Sequence, residues 1–431
     1  MKGDFSPNTH QYAFIDKVPW TIILFLTAAF FLVSHDWYIS LTTGNGSSIS
    51  LGDYTELVDQ GNILRRVVFF SLGVGAVFSY VFQRERYRVK IYGILGWLIL
   101  FFISWALLSI TWADDPDICL RRLVLLVMLC LVAFAVSRSL SLHDIILWVF
   151  ISSIFYLHLG LVAEVVLGTF HPLLEGYRFA GTLHPNSQAI NCTLLFFASL
   201  FMLKKGTRLR WFLIAIACES FIFLYLTKSR TSLGFAFIAP MLYWFMTLSL
   251  SRKGAVILCA TFASCILLLF RDFFFPILGH AITLGRGDTT TMTLTGRIPL
   301  WNEMLRYIYK RPLQGYGYDS FWTSRHIAEI AKEQDWVVTQ GHSTYLDLCL
   351  SLGFTGATFY VLIWVVAIRR TLIYHKESHN TVYTFLGIVL VFIFLNGLLE
   401  SITIATNQIT FLSMLIMARL AFPSSRAVNE S

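Results

Sequence analysis

The stretch IYGILGWLILFFISWALLSITWADDPDICLRRLVLLVMLCLVAFAVS, residues 91–137, decides the fold. Two uninterrupted apolar runs, 91–110 and 121–137, flank a short turn that carries most of the charge. An α-helix needs about 20 such residues to cross about 30 Å of hydrocarbon. Strands of a membrane barrel would instead be short and would alternate apolar with polar residues. The stretch therefore reads as helix, turn, helix, with the turn at a membrane surface.

The same pattern recurs outward in both directions. Further apolar segments lie at roughly 20–34, 64–82, 144–168, 186–203, 211–227, 232–250, 255–271, 344–368, 382–400 and 408–422, making twelve in all. Composition agrees. Of 431 residues, 56% are hydrophobic and 13% charged, against about 25% charged in soluble domains. Mean hydropathy is +0.66. A soluble globule would have to expose much of that apolar surface. Ordinary soluble enzymes, disordered chains and disulfide scaffolds are excluded. The expected fold is an all-α polytopic membrane protein with about twelve transmembrane helices. Residues 1–271 would carry helices 1–9, residues 272–343 one large loop with short helices, and residues 344–431 helices 10–12 and a cytoplasmic tail. The first apolar run lacks a small-residue cleavage site, so it reads as a retained helix and not as a signal peptide. The seven cysteines lie in or beside apolar runs without a C-x-x-C pair, and read as small core residues.

Charge sets the orientation. Arg84, Arg86, Arg88, Lys90, Arg138, Lys204, Lys205, Arg208, Arg210, Arg252, Lys253, Arg369, Arg370 and Lys376 fall in alternate short loops, which are assigned to the cytoplasm. The net charge of +8 is thereby accounted for by topology, and no nucleic-acid partner is implied. The opposite face carries Arg65, Arg66, Arg121, Arg122, Arg178, Lys228 and Arg230 where the charge rule disfavours them. The long loop on that face is neutral, with seven basic and seven acidic residues in 272–341. Its stretch Pro299–Tyr309 is helix-like, and Gly315-Tyr316-Gly317 reads as a turn. The loop is expected to fold as a cap on the outer membrane face.

The outer-face arginines are the first candidates for chemistry. A guanidinium at the membrane boundary is costly unless an anion meets it. Its fixed donors suit a phosphate or pyrophosphate. Arg178 and Arg230 are the strongest candidates, Arg121 and Arg122 the next. Snorkelling to headgroups, or pairing of Arg178 with Glu175, is the plainer reading. Asp115-Pro116-Asp117 has a D-x-D spacing that suits a divalent metal, but carboxylates at a helix start are explained by capping, so no metal site is assigned. His342 closes the long loop and opens a helix, where the dipole disfavours imidazolium and helps keep a neutral base. Glu164, Glu219, Asp347 and Glu400 are intramembrane or boundary acids and hence functional candidates. Glu219 suits a buried structural hydrogen bond, and Glu400 is a reserve base.

Several motifs together resemble the O-antigen ligase and polymerase superfamily. They are His342-Ser343 followed by Gly353-Phe354-Thr355-Gly356; Thr295-Gly296-Arg297-Ile298-Pro299-Leu300-Trp301; Arg311-Pro312-Leu313-Gln314-Gly315-Tyr316-Gly317; Arg178 to Asn186; Ser229-Arg230-Thr231; and Ser109 to Arg122. The likeness spans roughly residues 95–360. It implies a large periplasmic loop, location in the bacterial inner membrane, and glycan transfer from undecaprenyl pyrophosphate to an acceptor hydroxyl with inversion. The acceptor would be a second glycan, as in exopolysaccharide or O-antigen polymerases, or lipid A-core, as in the ligase. His342 would be the base or the group orienting the hydroxyl. Arg178 and Arg230, with Arg121 and Arg122, would hold the pyrophosphate in place of a metal. Arg297, Trp301, Tyr316 and Asn186 would shape the sugar cleft, although packing of the cap explains the aromatics equally well. No cofactor is implied. Membrane lipid and other polysaccharide-assembly proteins are the implied partners. A flippase of lipid-linked oligosaccharide would also need a cationic cavity, and a non-catalytic scaffold would tolerate loss of His342.

Overall fold

The computed structural model describes residues 20–34, 63–82, 91, 93–174, 176–203, 208–269, 297–333, 338–402 and 407–422, without the side chains of 34, 262–269 and 333. Arg84, Arg86, Arg88, Lys90, Glu175, Lys204, Lys205, Cys265, Thr295 and Gly296 lie outside the described residues or side chains.

The described residues are helical and contain no strand. The helices are α1 (Trp20–Ser34), α2 (Ile63–Phe82), α3 (Gly93–Leu108), α4 (Pro116–Ser139), α5 (Leu142–Val166), α6 (Pro185–Leu203), α7 (Arg210–Leu226), α8 (Arg230–Thr247), α9 (Leu250–Leu269), α10 (Arg297–Lys310), α11 (Ser324–Glu333), α12 (Thr344–Ser378), α13 (Thr381–Asn396) and α14 (Gln408–Ala421). Each apolar segment read from the sequence coincides with one of these, and α10 and α11 belong to the cap. Among the described residues, six spans, α2 to α6 and α12, are long and apolar enough to cross a membrane, while α1, α13 and α14 are apolar but shorter. The protein is a multi-pass helical membrane protein.

Local chemistry sets the helix ends. Asp115 caps α4 by accepting the Ile118 N–H at 2.9 Å, with Pro116 at the first helical position. The D-x-D carboxylates thus begin a helix. Ser141 and Asp144 form a reciprocal capping box on α5. The main core runs through the bundle and is built on large buried rings such as Trp148, Phe385, Phe392 and Phe411.

The cap has its own core. α10 is amphipathic and buries Leu300, Met304, Tyr307 and Ile308 at helical spacing. They pack with Tyr316, Phe321 and Trp322 onto Leu123 of α4 and Leu348 and Leu352 of α12. The cap is latched by a break in α12. Gly353 has φ 65° and ψ −173°, which interrupts the helix ladder. The 312–317 turn fills the break: Tyr316 N–H donates to the Leu350 carbonyl at 2.8 Å, Gly317 N–H to that of Ser351 at 2.9 Å, and Phe354 N–H to that of Pro312 at 2.7 Å. A Cβ on Gly353 would stand 2.3 Å from the Leu313 carbonyl carbon and oxygen. The two glycine-rich motifs are therefore halves of one backbone joint. An ion pair of Arg311 with Asp114 at 2.7 Å ties the same turn to the start of α4.

Candidate functional site

The site is built from loops at one end of the bundle, under the cap. The 177–186 loop, between α5 and α6, is anchored by Glu164 near the end of α5. One Glu164 oxygen accepts the N–H groups of Ala180 at 2.9 Å and Gly181 at 2.7 Å, and the other accepts the Tyr177 hydroxyl at 2.5 Å. These are charge-assisted bonds from a buried carboxylate. Phe179 N–H donates to the Leu226 carbonyl at 2.9 Å, which joins the loop to the end of α7. The effect is to fix Arg178. Its Nε donates to the Thr227 carbonyl at 2.9 Å and its Nη2 to Asn186 Oδ1 at 2.8 Å.

Glu400, just beyond α13, is the hub. Its Oε1 accepts from Asn186 Nδ2 at 2.7 Å and from Arg297 Nη2 at 2.6 Å. Its Oε2 lies 3.9 Å from His342 Nδ1. The chain Arg178–Asn186–Glu400–Arg297, with His342 beside it, joins residues from four parts of the sequence. Burial pushes the Glu400 carboxyl up, but the neighbouring His342 and Arg297 outweigh this and hold it below its ordinary value. A carboxylate so stabilised, and already accepting two bonds, is a poor proton acceptor. That favours an orienting role for Glu400 over the reserve-base role.

The His342 backbone is fixed as firmly. The residue has φ 50°, in the left-handed region. Gly341 N–H donates to both oxygens of Asp347, at 3.0 and 3.2 Å, and the Gly341 carbonyl accepts from Trp301 Nε1 at 2.9 Å. Asp347 also accepts from Trp322 Nε1 at 2.9 Å and from the Ser401 hydroxyl. Thr344 reinforces the joint, donating through N–H to the Gly397 carbonyl at 2.9 Å and through its hydroxyl to the Glu400 carbonyl at 2.9 Å. Asp347 therefore ties the histidine turn to the segment that carries Glu400.

Arg230 begins α8 on the same 227–229 turn whose Thr227 carbonyl holds Arg178. It is half-buried, and its side chain makes no hydrogen bond or ion pair among the described residues. His184 belongs to the cluster, although its motif gave it no role beforehand. Desolvation pushes its imidazole below the ordinary value, Glu400 opposes this, and Arg178, His342 and Arg297 reinforce it. A histidine directly before a helix-opening proline was the available signal. Within the bonded cluster, two guanidinium groups, Arg178 and Arg297, stand against one carboxylate, Glu400, and leave one net positive charge. Such a chamber favours an anion.

The remaining candidates lie elsewhere. Arg122 pairs with Asp319 of the cap at 2.9 Å. Arg121 Nε donates to the Asp117 carbonyl at 3.3 Å, and the residue is half-buried. Tyr316 is buried in the cap core, its hydroxyl donating to the Tyr307 carbonyl at 3.0 Å, so its ring packs the cap. Trp301 supports the histidine turn. Glu219 faces His158 at 3.4 Å within the bundle. Among the described residues, no group of three or more His, Cys, Asp or Glu side chains is arranged to hold a metal ion.

Fold and site define a class: a multi-pass helical membrane protein with a polar, arginine-bearing cluster at one end. Residues 193–361 match the family model described as O-antigen ligase. The matched segment contains Arg230, Arg297 and His342. Arg178, Asn186 and Glu400 lie outside it, and the fold brings them to it. No curated protein matches the chain.

Proposed function

We propose that the protein is an inverting glycosyltransferase of the bacterial inner membrane. It transfers a glycan from undecaprenyl pyrophosphate to an acceptor hydroxyl on the periplasmic side, and all twelve apolar helices cross the bilayer. The observation that carries this reading is the convergence of His342 with Arg178, Arg297 and Glu400 in one cationic chamber, within a chain that matches the family.

The proposed chemistry follows from the charges. The donor pyrophosphate meets Arg178 and Arg230. His342 takes the proton of the acceptor hydroxyl at Nε2, while Nδ1 faces Glu400. The hydroxyl oxygen bonds to the anomeric carbon as the bond from that carbon to the pyrophosphate oxygen breaks on the opposite face, which inverts the configuration. The bonding pair leaves with the pyrophosphate, whose charge grows where the arginines stand. Each such pair at ~4 Å and an effective dielectric near 20 contributes about 4 kcal/mol before desolvation. Arg297 keeps Glu400 charged, and Glu400 in turn orients the imidazole, as a buried carboxylate orients a catalytic histidine elsewhere.

A purified assay with a lipid-pyrophosphate oligosaccharide tests this. General-base catalysis contributes about 10²–10⁴-fold, so His342→Ala should lower kcat by that factor while donor binding stays unchanged. A His342→Ala protein that transfers at the unaltered rate overturns the assignment.

A further inference from the structure

One face of the bundle carries its polarity the wrong way round for a bilayer. It is formed by α5 and α7, which both pack on α6. His158 of α5 and Glu219 of α7 meet there, with Nε2 3.4 Å from Oε1. Their side chains are 48% and 28% exposed, so the pair reaches the surface. Glu219 is therefore not the buried structural bond that its sequence suggests. Helix rise gives the depth. His158 lies about 12 Å below the end of α5 at Val166, and Glu219 about 10 Å below the end of α7 at Leu226. The 25 residues of α5 are about 37 Å long, against about 30 Å of hydrocarbon, which puts His158 about 8 Å inside it.

The pair leaves a carboxylate oxygen to satisfy. Nδ1 of His158 lies 2.9 Å from the Ile154 carbonyl, which can only accept, so Nδ1 donates there and Nε2 faces Glu219. Glu219 Oε2 has no hydrogen-bond or ion-pair partner among the described residues. Acceptors at such depth call for a donor from another segment. Above the pair the pattern reverses. The loop after α5 crosses to α7, where the Phe170 ring lies 6.5 Å from that of Phe223. Beyond the helix ends it holds out Leu173 and Leu174, 100% and 61% exposed. Lipid would suit leucines at the depth of the pair and the pair at the height of the leucines. A protein surface can meet both. Next to Glu219, α7 exposes Ala215 and Cys218, small side chains that let a neighbouring helix come close.

We propose that this face joins two copies of the chain about a two-fold axis, with His158 of each copy donating to Glu219 of the other. Charge selects the occupant. One patch supplies both the base and the acid, so a second copy turned by 180° presents each where the other is needed. The two leucine-bearing loops then cover each other above the axis. The contact uses none of the residues assigned to glycan transfer, so it stands or falls apart from that reaction.

The test places full-length protein, bearing donor or acceptor fluorophores, in liposomes and follows energy transfer against the protein-to-lipid ratio. The unaltered chain should dimerise. Glu219→Leu and His158→Leu, each alone, should weaken the dimer about tenfold. Mixing the two variants separates a pair across copies from one within a copy. Neither variant chain has both groups, but a mixed dimer keeps one His158 and one Glu219 on opposite copies. Energy transfer between the two variants should therefore exceed that of either variant with itself. A second reading leaves the pair intact and so survives a failure of the variants to fold. A protein keeping Cys218 as its one cysteine should crosslink to a second copy with a short bismaleimide, and one keeping Cys259, exposed on α9, should not. A monomeric unaltered protein, single variants that dimerise as tightly as the unaltered chain, mixing that restores nothing, or crosslinking no stronger at Cys218 than at Cys259 overturns the proposal.

Discussion

Replacing Glu164 with alanine should weaken the donor's hold without touching the chemistry. The carboxylate makes three bonds to the Arg178 loop, at 2.9, 2.7 and 2.5 Å. Bonds to a charged acceptor contribute about 1.5–3 kcal/mol each when buried. The loop lies at the bundle end and regains water when it opens, so about 1 kcal/mol per bond, ~3 kcal/mol in all, is the expected net loss. That corresponds to roughly 150-fold in the population of the ordered loop. Apparent affinity falls with the competent fraction, so donor KM should rise between about 10- and 100-fold, with kcat and acceptor KM nearly unchanged. Glu164→Gln keeps an oxygen for the two N–H groups and should lie within about tenfold of the unaltered protein. The assay is the initial rate of purified protein against donor concentration at fixed acceptor. An unchanged donor KM in Glu164→Ala, or equal rises for donor and acceptor, would refute the claim that this carboxylate positions Arg178 for the donor.

Two further outcomes follow from the same geometry. Gly353→Ala places a side chain where φ is 65° and ψ −173° and where the Leu313 carbonyl stands 2.3 Å away; strain of about 1–3 kcal/mol plus the clash should undock the 312–317 turn, read as faster tryptic cleavage after Lys310. Glu400, with its carboxyl below the ordinary value of 4.5, contributes stability that is present above about pH 4.5 and lost as pH falls through its lower folded value; thermal melts should show that acid-dependent loss, and Glu400→Gln should remove it.

The fold was legible because hydrocarbon thickness fixes the length of an apolar run, and the twelve runs recur as helices. The break at Gly353 was not legible, because hydropathy continues through it and only the 312–317 turn reveals why glycine is needed. Arg178, Arg230 and His342 stood out individually, since charge at the wrong boundary carries a cost. The assembly of Arg178 with His342 did not, because it passes through Asn186 and Glu400, which are 214 positions apart. Arg122 drew attention for the same reason as Arg178, yet its partner is Asp319 of the cap. Tyr316 shows the converse problem: an aromatic ring in a loop reads equally as cleft wall or cap core, and only its burial decides.

The proposed mechanism requires Arg178, Arg230 and His342 to meet one donor on the non-cytoplasmic face. The direct measurement introduces Arg178→Cys, Arg230→Cys and His342→Cys singly into a cysteine-free background and applies a membrane-impermeant thiol reagent from outside. All three positions should label from that side, and the lipid-pyrophosphate donor should protect all three. Labelling of any one only from the cytoplasmic side, or donor protection of one without the others, would contradict it.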